Sequence, residues 1–586
     1  MIGALTHTLA FGAIAATLVL AGDLVLPERA RRVCLWARWA TAFALGVGLI
    51  AGAFTLALAC GVLSARVIWD VQAAVSVAAL VRLVLLVKTG DLSWSAVVRP
   101  LSRLSAISRA CLALSVVMAA ATFVSTLAPP SSMDATVYHL RMPAVYLAQG
   151  RWAFLPDIAQ TFQPAYVEMA FGHFMALESD VSSALLHWGL GIGAALSAGA
   201  WARRFGANPW VAALLVLGTP VFVWESTGAF IDLGLTLFGS LAIYWSSRDD
   251  MGRPAVVIAG ALAGLAAGSK LTGAALAVLA GAAAFAMAWP RWRLGVGRLL
   301  GIGAMALVIA LPWYGHNFFT TGNPFYPVGN SVFGVPFRVF DNAHYGYGRS
   351  LLNLLLSPFD LVWRGEPFDQ GWAVGPAFLA LVPLGVFIGR RARIIRLAAA
   401  CILGFWVFWF YSMPQTRLLL PIEPLGAALA AVAVDWALTV RFRMVRLSVV
   451  ATTGVSTLMG LAVALAFVRS YLPAALGFES RDAFLTRTSW HYPALAAATA
   501  WTPKGARVAV IGADNLYYLR RDAALVKEQT TVAELRKSGF SHLLTIGACN
   551  DRHPRMPVLW ADEYKLPASR LGGGVAGVLC ASLEVL

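Results

Sequence analysis

Apolar stretches separated by short polar breaks occupy most of this chain. They run over 5–26, 39–63, 67–87, 110–128, 181–200, 209–224, 228–246, 255–269, 272–289, 299–314, 372–388, 397–412, 418–437 and 447–467. These are about fourteen segments, most near the ~20 residues a bilayer-crossing helix needs. The pair flanking Lys270 is short enough to be re-entrant. The first stretch lacks a basic leader, and further spans follow it, so it is expected to be retained as a span. The apolar runs are continuous rather than alternating, which excludes a membrane β-barrel.

The last part of the chain follows another pattern. Arg507-Val-Ala-Val-Ile-Gly512 and His542-Leu-Leu-Thr-Ile-Gly547 look like strands, and Thr531-Val-Ala-Glu534 between them looks like a capping box opening a short helix. A small α/β domain is expected there. Cys549 and Cys580 both fall in it and could pair as a disulfide. The expected fold class is an all-α polytopic membrane protein of about fourteen spans with a small α/β C-terminal domain.

Composition agrees. Of 586 residues, 59% are hydrophobic and 13% charged, and the mean hydropathy is +0.72. A soluble chain has too little interior to hide so much apolar surface. The formal net charge of +16 acquires meaning from its placement. One set of alternate loops carries Arg29, Arg31, Arg32 and Arg38; Lys88, Arg99, Arg103 and Arg109; Arg203 and Arg204; Arg248 and Arg253; Arg291, Arg293 and Arg298; Arg390, Arg391, Arg393 and Arg396; and Arg441, Arg443 and Arg446. The other short loops carry only Arg66, Lys270 and Arg417. The first set is therefore cytoplasmic by the positive-inside rule. The basic balance reads as topology, not as a nucleic-acid footprint. Segments 129–180, 315–371 and 473–586 then lie on the outer, non-cytoplasmic side.

The unusual polar residues gather on that outer side: Asp134, Asp232, Lys270, His316, Asn317, Gln415 and Arg417. Charges at a membrane edge must be paired, wet or functional, so a wet outer cavity is expected. Plainer readings stand beside this one. Asp232 and Lys270 could be a structural ion pair, Arg417 an interfacial anchor, Asp134 a helix N-cap. His187 and Trp188, on an apolar span, read as packing. After Asp134, the apolar positions Val137, Leu140, Ala144 and Leu147 predict a helix lying on the membrane surface, with Asp134 and Tyr138 on one face. The chemical reading is that a partly desolvated carboxylate accepts a proton as general base while a guanidinium holds a phosphate.

Asp134-x-x-x-Tyr138-His139-Leu-x-x-Pro143, Gly268-Ser-Lys270-Leu-Thr272, Pro312-Trp313-Tyr314-x-x-Asn317, Thr321-Gly-Asn323-Pro324 and Gln415-x-Arg417-x-Leu-Leu-Pro421 together resemble the GT-C superfamily of integral-membrane glycosyltransferases. More narrowly they resemble a bacterial glycosyltransferase-like subgroup related to protein O-mannosyltransferases and lipid A aminoarabinose transferases. The resemblance covers roughly 110–470, the expected catalytic core; 1–109 lie outside it as an added extension of about three spans, and 471–586 are expected to form the outer α/β domain. It implies an inverting glycosyltransferase that moves one sugar from a polyprenyl-phosphate carrier to a hydroxyl of a glycan, lipid or protein. Asp134 would match the catalytic base. Arg417, Lys270, Gln415, His139, Tyr138 and Asn317 would bind the donor and its phosphate. Metal-dependent relatives carry an acidic pair in the first loop. Here Ala135 follows Asp134, so a divalent cation would need Asp157, Glu168 or Asp232 as second carboxylate. A transporter or lipid-linked sugar flippase, or a non-catalytic envelope-polysaccharide assembly partner, is the alternative.

Overall fold

The computed structural model describes residues 2–89, 102–153, 155, 158–334, 345–371, 373–513, 515–548, 558–566 and 577–586. Every one of the predicted apolar stretches is helical. Among the described residues, nine helices are long and apolar enough to cross a membrane, and Arg253–Ala267, Gly273–Ala288, Leu351–Trp363 and Pro376–Gly389 are shorter apolar helices. The chain is a multi-pass membrane protein.

Two departures from simple spans matter. The stretch 209–224 is two helices, Pro209–Leu217 and Pro220–Glu225. Pro220 cannot donate to the preceding turn, so the first helix ends and a new one begins with Pro at its first position. The stretch 418–437 begins as a 3-10 segment, Thr416–Ile422, before the helix Glu423–Thr439. Helices Arg253–Ala267 and Gly273–Ala288 pack as a pair across the Gly268–Thr272 bend. A Cβ at Gly273 would lie 1.9 Å from the Ala266 carbonyl oxygen, so only glycine permits this approach. The break, the 3-10 segment, this bend and the turn after Asp134 all occur at the end of the bundle opposite the basic loops. Irregular backbone at membrane depth needs internal partners or a polar cavity.

At the N-terminus, Ile2–Val25 and Leu35–Ala59 cross closely enough that a Cβ on Gly22 would meet the Ala42 oxygen at 1.8 Å and one on Gly46 the Leu18 oxygen at 2.1 Å. Small residues let membrane helices approach backbone to backbone. Helix Ala65–Thr89 joins them, and a buried polar seam ties the group to helix Tyr166–Leu177: His173 Nε2 lies 3.0 Å from Gln72 Oε1, and Gln72 donates to Thr17.

The C-terminal sheet contains β1 (Arg507–Ile511), β2 (Asp522–Leu525), β3 (His542–Ala548), β4 (Val558–Leu566) and β5 (Gly577–Val585), in the order β2-β1-β3-β5-β4. β2, β1 and β3 run parallel, while β5 is antiparallel to its neighbours. The Thr531/Glu534 capping box is formed. Cys549 lies outside the described residues, and with it the expected pairing to Cys580. The domain sits on the first long loop. Tyr518 Oη donates to the Pro130 carbonyl, Asn515 Nδ2 to Thr136 Oγ1, and Arg481 pairs with Asp180.

The segment after Asp134 is helical, as expected, but it does not lie on the surface. It is a π-type turn, Ala135–His139, followed by helix Arg141–Gln149, with Leu140, Met142 and Tyr146 all buried. Helix Tyr166–Leu177 packs against Arg141–Gln149, and of the expected apolar face Leu140 is buried while Val137, Ala144 and Leu147 stay half-buried.

Candidate functional site

The loop Leu127–Met133 leaves helix Ala106–Thr126 and delivers Asp134 at the mouth of the bundle. Asp134 does not cap the turn that follows it, so its carboxylate is free of that local duty. The Leu140 N–H donates to the Ala135 carbonyl at 2.8 Å, the widened bond of a π-turn. Such turns recur at functional sites because they shift side chains off the helical register.

Arg417 arrives from a rigid mount. Trp409 Nε1 donates to the Gln415 carbonyl at 2.7 Å, Thr416 Oγ1 donates to the Phe368 carbonyl at 3.0 Å, and Phe368 stacks on Trp409. From there Arg417 Nη1 reaches Asp134 Oδ2 at 2.6 Å across 283 positions of sequence. The guanidinium also lies 5.9 Å from the Trp224 ring centroid. Its Nε is buried without a hydrogen-bond partner among the described residues.

A second ion pair stands beside the first. Lys270 Nζ donates to Asp232 Oδ1 at 2.8 Å. Asp134 is 30% exposed, Lys270 17%, Arg417 11% and Asp232 1%. Asp134 is thus the group most open to an incoming substrate, and Asp232 the group committed to holding a partner. The two pairs share one electrostatic field: Arg417 feels Asp134, Asp232, Tyr138 and Glu225.

The remaining sequence candidates divide. His139 Nδ1 lies 2.9 Å from Glu168 Oε1, with both groups buried. Burial, then Lys270, holds the His139 imidazole well below its usual range, and burial pushes the Glu168 carboxyl up to about 8. The two are therefore a neutral hydrogen-bonded pair near pH 7. The Tyr138 phenol, 4.0 Å from the His139 ring, is pushed up by burial and then by Asp134. Gln415 keeps its side-chain oxygen buried and without a partner among the described residues. Asn317 donates to the Phe162 carbonyl at 2.5 Å, and no hydrogen bond among the described residues joins it to the two ion pairs. His316 stacks on Trp152. Asp157 lies outside the described residues. His187 is a satisfied core histidine: it contacts the Gly228 and Glu225 carbonyls and accepts from the Leu233 N–H.

Two acids were missed from sequence. Glu225 ends the short helix after the Pro220 break, fully buried, with neither carboxyl oxygen hydrogen-bonded among the described residues, and it feels Asp232, Arg417, Lys270 and Asp134. Its signal was an acid closing an apolar run. Asp369 follows Phe368 with φ +86°, a conformation that costs a non-glycine residue on the order of 1–3 kcal/mol. Burial raises its carboxyl, Arg417 lowers it and Asp134 raises it, so it faces the first ion pair. No local pattern marked it.

Among the described residues no three His, Cys, Asp or Glu side chains come together as a metal site. Glu168 and Asp232, two of the second-carboxylate candidates, are engaged by His139 and Lys270. The described donor set does not fit a resident divalent cation.

No known family matches this sequence, and no curated protein matches it. Solved structures do. ArnT from Cupriavidus metallidurans in the apo state superposes with a TM-score of 0.51 at 18% identity, covering 82% of this chain and 98% of ArnT. ArnT bound to undecaprenyl phosphate gives 0.49 at 16% identity, covering 80% and 97%. The oligosaccharyltransferase AglB from Archaeoglobus fulgidus, in complex with an inhibitory peptide and a dolichol-phosphate, gives 0.39 at 13% identity, covering 74% and 69%. The first of these carries the structural comparison: the chain has the fold of ArnT.

Proposed function

We propose that this protein is an inverting glycosyltransferase of a bacterial inner membrane. It takes a single sugar from a polyprenyl-phosphate carrier on the outer face and passes it to a hydroxyl of a glycan, lipid or protein. The observation that carries this reading is the Asp134–Arg417 pair, 2.6 Å apart and partly open, at the end of the bundle opposite the basic loops. The fold shared with ArnT supports it.

The chemistry follows from that pair. An incoming phosphate competes with Asp134 for the guanidinium. Once Arg417 turns to the phosphate, Asp134 is an unpaired carboxylate beside the acceptor. It takes the hydroxyl proton as the acceptor oxygen bonds to the anomeric carbon. The bond from that carbon to the phosphate oxygen breaks, its electron pair leaves with the lipid phosphate, and configuration inverts. Arg417, with Lys270 behind it, stabilises the charge gathering on the leaving group; fixed cations in a site that excludes water contribute several kcal/mol, about 3 or more. Trp224 and Tyr138 border the reacting centre, and Gln415 offers an unspent amide oxygen.

The test is reconstitution of the wild type and Asp134→Asn in liposomes with radiolabelled polyprenyl-phosphate sugars and an envelope extract as acceptor. Donor binding by both, with turnover lowered roughly 10²–10⁴-fold in the variant, is the expected result. Equal turnover removes Asp134 from the mechanism. Sugar or lipid crossing the bilayer without bond cleavage makes the protein a transporter instead.

A further inference from the structure

Beside the two ion pairs lies an open pocket that the transfer step leaves unused. Two pairs of aromatic rings line it. Trp224 and Phe230 form one, with ring centroids 4.8 Å apart. Phe467 and Tyr471, near the end of helix Arg443–Ala475, form the other at 5.5 Å. The loop that delivers Asp134 supplies Ser131 and Ser132. The pocket adjoins the reacting centre through two of these residues. Trp224 is the ring that faces the Arg417 guanidinium at 5.9 Å. Ser132 stands two residues before Asp134, and its carbonyl accepts from Thr136 Oγ1 at 3.0 Å.

The lining has one kind of polar side chain. Ser131, Ser132, Thr227 and Tyr471 all present hydroxyls, and among the described residues no charged side chain joins them. Ser132 Oγ is buried without a partner among the described residues. Ser131 Oγ and Tyr471 Oη are 3.4 Å apart, a long contact that a better partner displaces. Buried hydroxyls of this kind call for further hydrogen-bonding groups. A phosphate or carboxylate would find no cation in this lining, and an ammonium no carboxylate, so a charged occupant would be desolvated without compensation. An isoprenoid chain would leave the hydroxyls unmet. A sugar ring answers both features: its C–H faces lie on aromatic rings, and its hydroxyls donate and accept. With its mouth the pocket encloses about 340 Å³, room for one ring rather than a chain.

We propose that this pocket seats one uncharged sugar ring, the donor's or the acceptor's, and so selects neutral sugars over amino sugars and uronic acids. The proposal deepens the glycosyltransferase reading and rests on it for the use of a ring beside Asp134.

The full-length protein in lipid nanodiscs would be titrated, in mildly acidic buffer, with methyl α-mannoside, methyl β-glucoside, glucosamine and glucuronate, and saturation transfer from protein to sugar read by NMR. The two neutral glycosides are expected to bind, and the two charged sugars to half-saturate at least about tenfold higher. Phe467→Leu and Ser132→Ala should each weaken the glycosides about five- to tenfold at an unchanged thermal midpoint. If Phe467→Leu does not fold, Tyr471→Phe takes its place, keeping the ring and removing the hydroxyl. If mannose-linked polyprenyl phosphate displaces the glycosides and bare polyprenyl phosphate does not, the ring is the donor's. If neither displaces them, it is the acceptor's. Displacement by both overturns the site, as do equal binding of neutral and charged sugars and equal binding by all variants. Turnover in liposomes separates the two readings. Turnover by a protein that fails these titrations keeps the transferase and removes the sugar pocket; glycoside binding that the variants weaken, without any turnover, keeps the pocket and removes the transferase.

Discussion

Two ionic clusters stand at opposite ends of this bundle, and they are built differently. The Asp23 cluster sits on long, regular helices, is closed to solvent and holds one buried carboxylate between the Arg38 and Arg82 guanidiniums. The Asp134 cluster sits on a π-turn, a 3-10 segment and helix ends, is partly open, and forms two separate ion pairs. A cluster on regular helices cannot rearrange without moving a span. A cluster on irregular backbone can exchange partners at little cost, because each side chain is mounted separately. An active site that must release a base when its substrate arrives needs the second construction.

The largest expected effect tests that exchange. Asp134→Asn and Arg417→Gln should each lower turnover by about 10²–10⁴-fold. The double variant should be little worse than either, because the two side chains act in one step. Steady-state rates on a bound donor measure this. Fully additive losses would mean that the pair does not act as a unit. Arg417→Lys keeps the charge but loses the forked donors, so donor binding should fall while the protein stays folded.

The second pair separates holding from chemistry. Lys270→Met leaves Asp232 buried and unpaired, which costs about 3–5 kcal/mol of stability. Adding Asp232→Asn should recover most of the thermal midpoint. If Lys270 also supports the donor phosphate, the recovered protein stays slow; if the pair is only structural, turnover returns with stability.

What the sequence showed and what it hid follow the same division. The helices were legible because each span repeats one local requirement, an unbroken apolar run. So were the capping box of Thr531 and Glu534 and the strands β1 and β3, which are local patterns too. The gathering of Asp134, Asp232, Lys270 and Arg417 at one end was legible because alternating basic loops fix which way each span runs. The pairing itself was not: 283 positions separate Asp134 from Arg417, and no periodicity links them. Glu225 was hidden because the Pro220 break was read as the middle of one span. Asp369 was hidden because its loop reaches the site only through the Phe368–Trp409 stack. Arg82 was hidden inside an apolar run, its charge answered by Asp23 some sixty residues away in the chain.

A pH effect of intermediate size isolates the neutral pair behind the site. The Glu168 carboxyl lies at about 8 in the folded protein and at the ordinary value of about 4.5 when unfolded. Between these the folded state binds the extra proton, so this stability is complete below about pH 4.5 and is lost as pH rises towards 8. His139, held low, acts in the opposite direction below about pH 6.5, since there the unfolded state takes the proton. Glu168→Gln removes only the first contribution. The thermal-midpoint difference between wild type and variant, measured from pH 5 to 9 in neutral detergent, should shrink from acid to alkaline side and level off near 8. A difference that is flat with pH would mean that Glu168 is ionised throughout.

The smallest effect concerns the C-terminal domain. Tyr518 donates its hydroxyl to the Pro130 carbonyl, and Asn515 donates to Thr136, one residue beyond the turn's first position. The domain thus grips both flanks of Asp134 without supplying a charge to either ion pair. Tyr518→Phe removes one buried hydrogen bond and leaves the ring in place, at a cost of about 1 kcal/mol. If the domain serves to hold the Asp134 loop, that loss should appear as a rise of a few fold in KM for the acceptor with kcat nearly unchanged, because the loop is ordered less often but reacts normally when ordered. If the domain instead binds the acceptor through its own surface, Tyr518→Phe should leave KM unchanged, and the two roles separate on that one measurement.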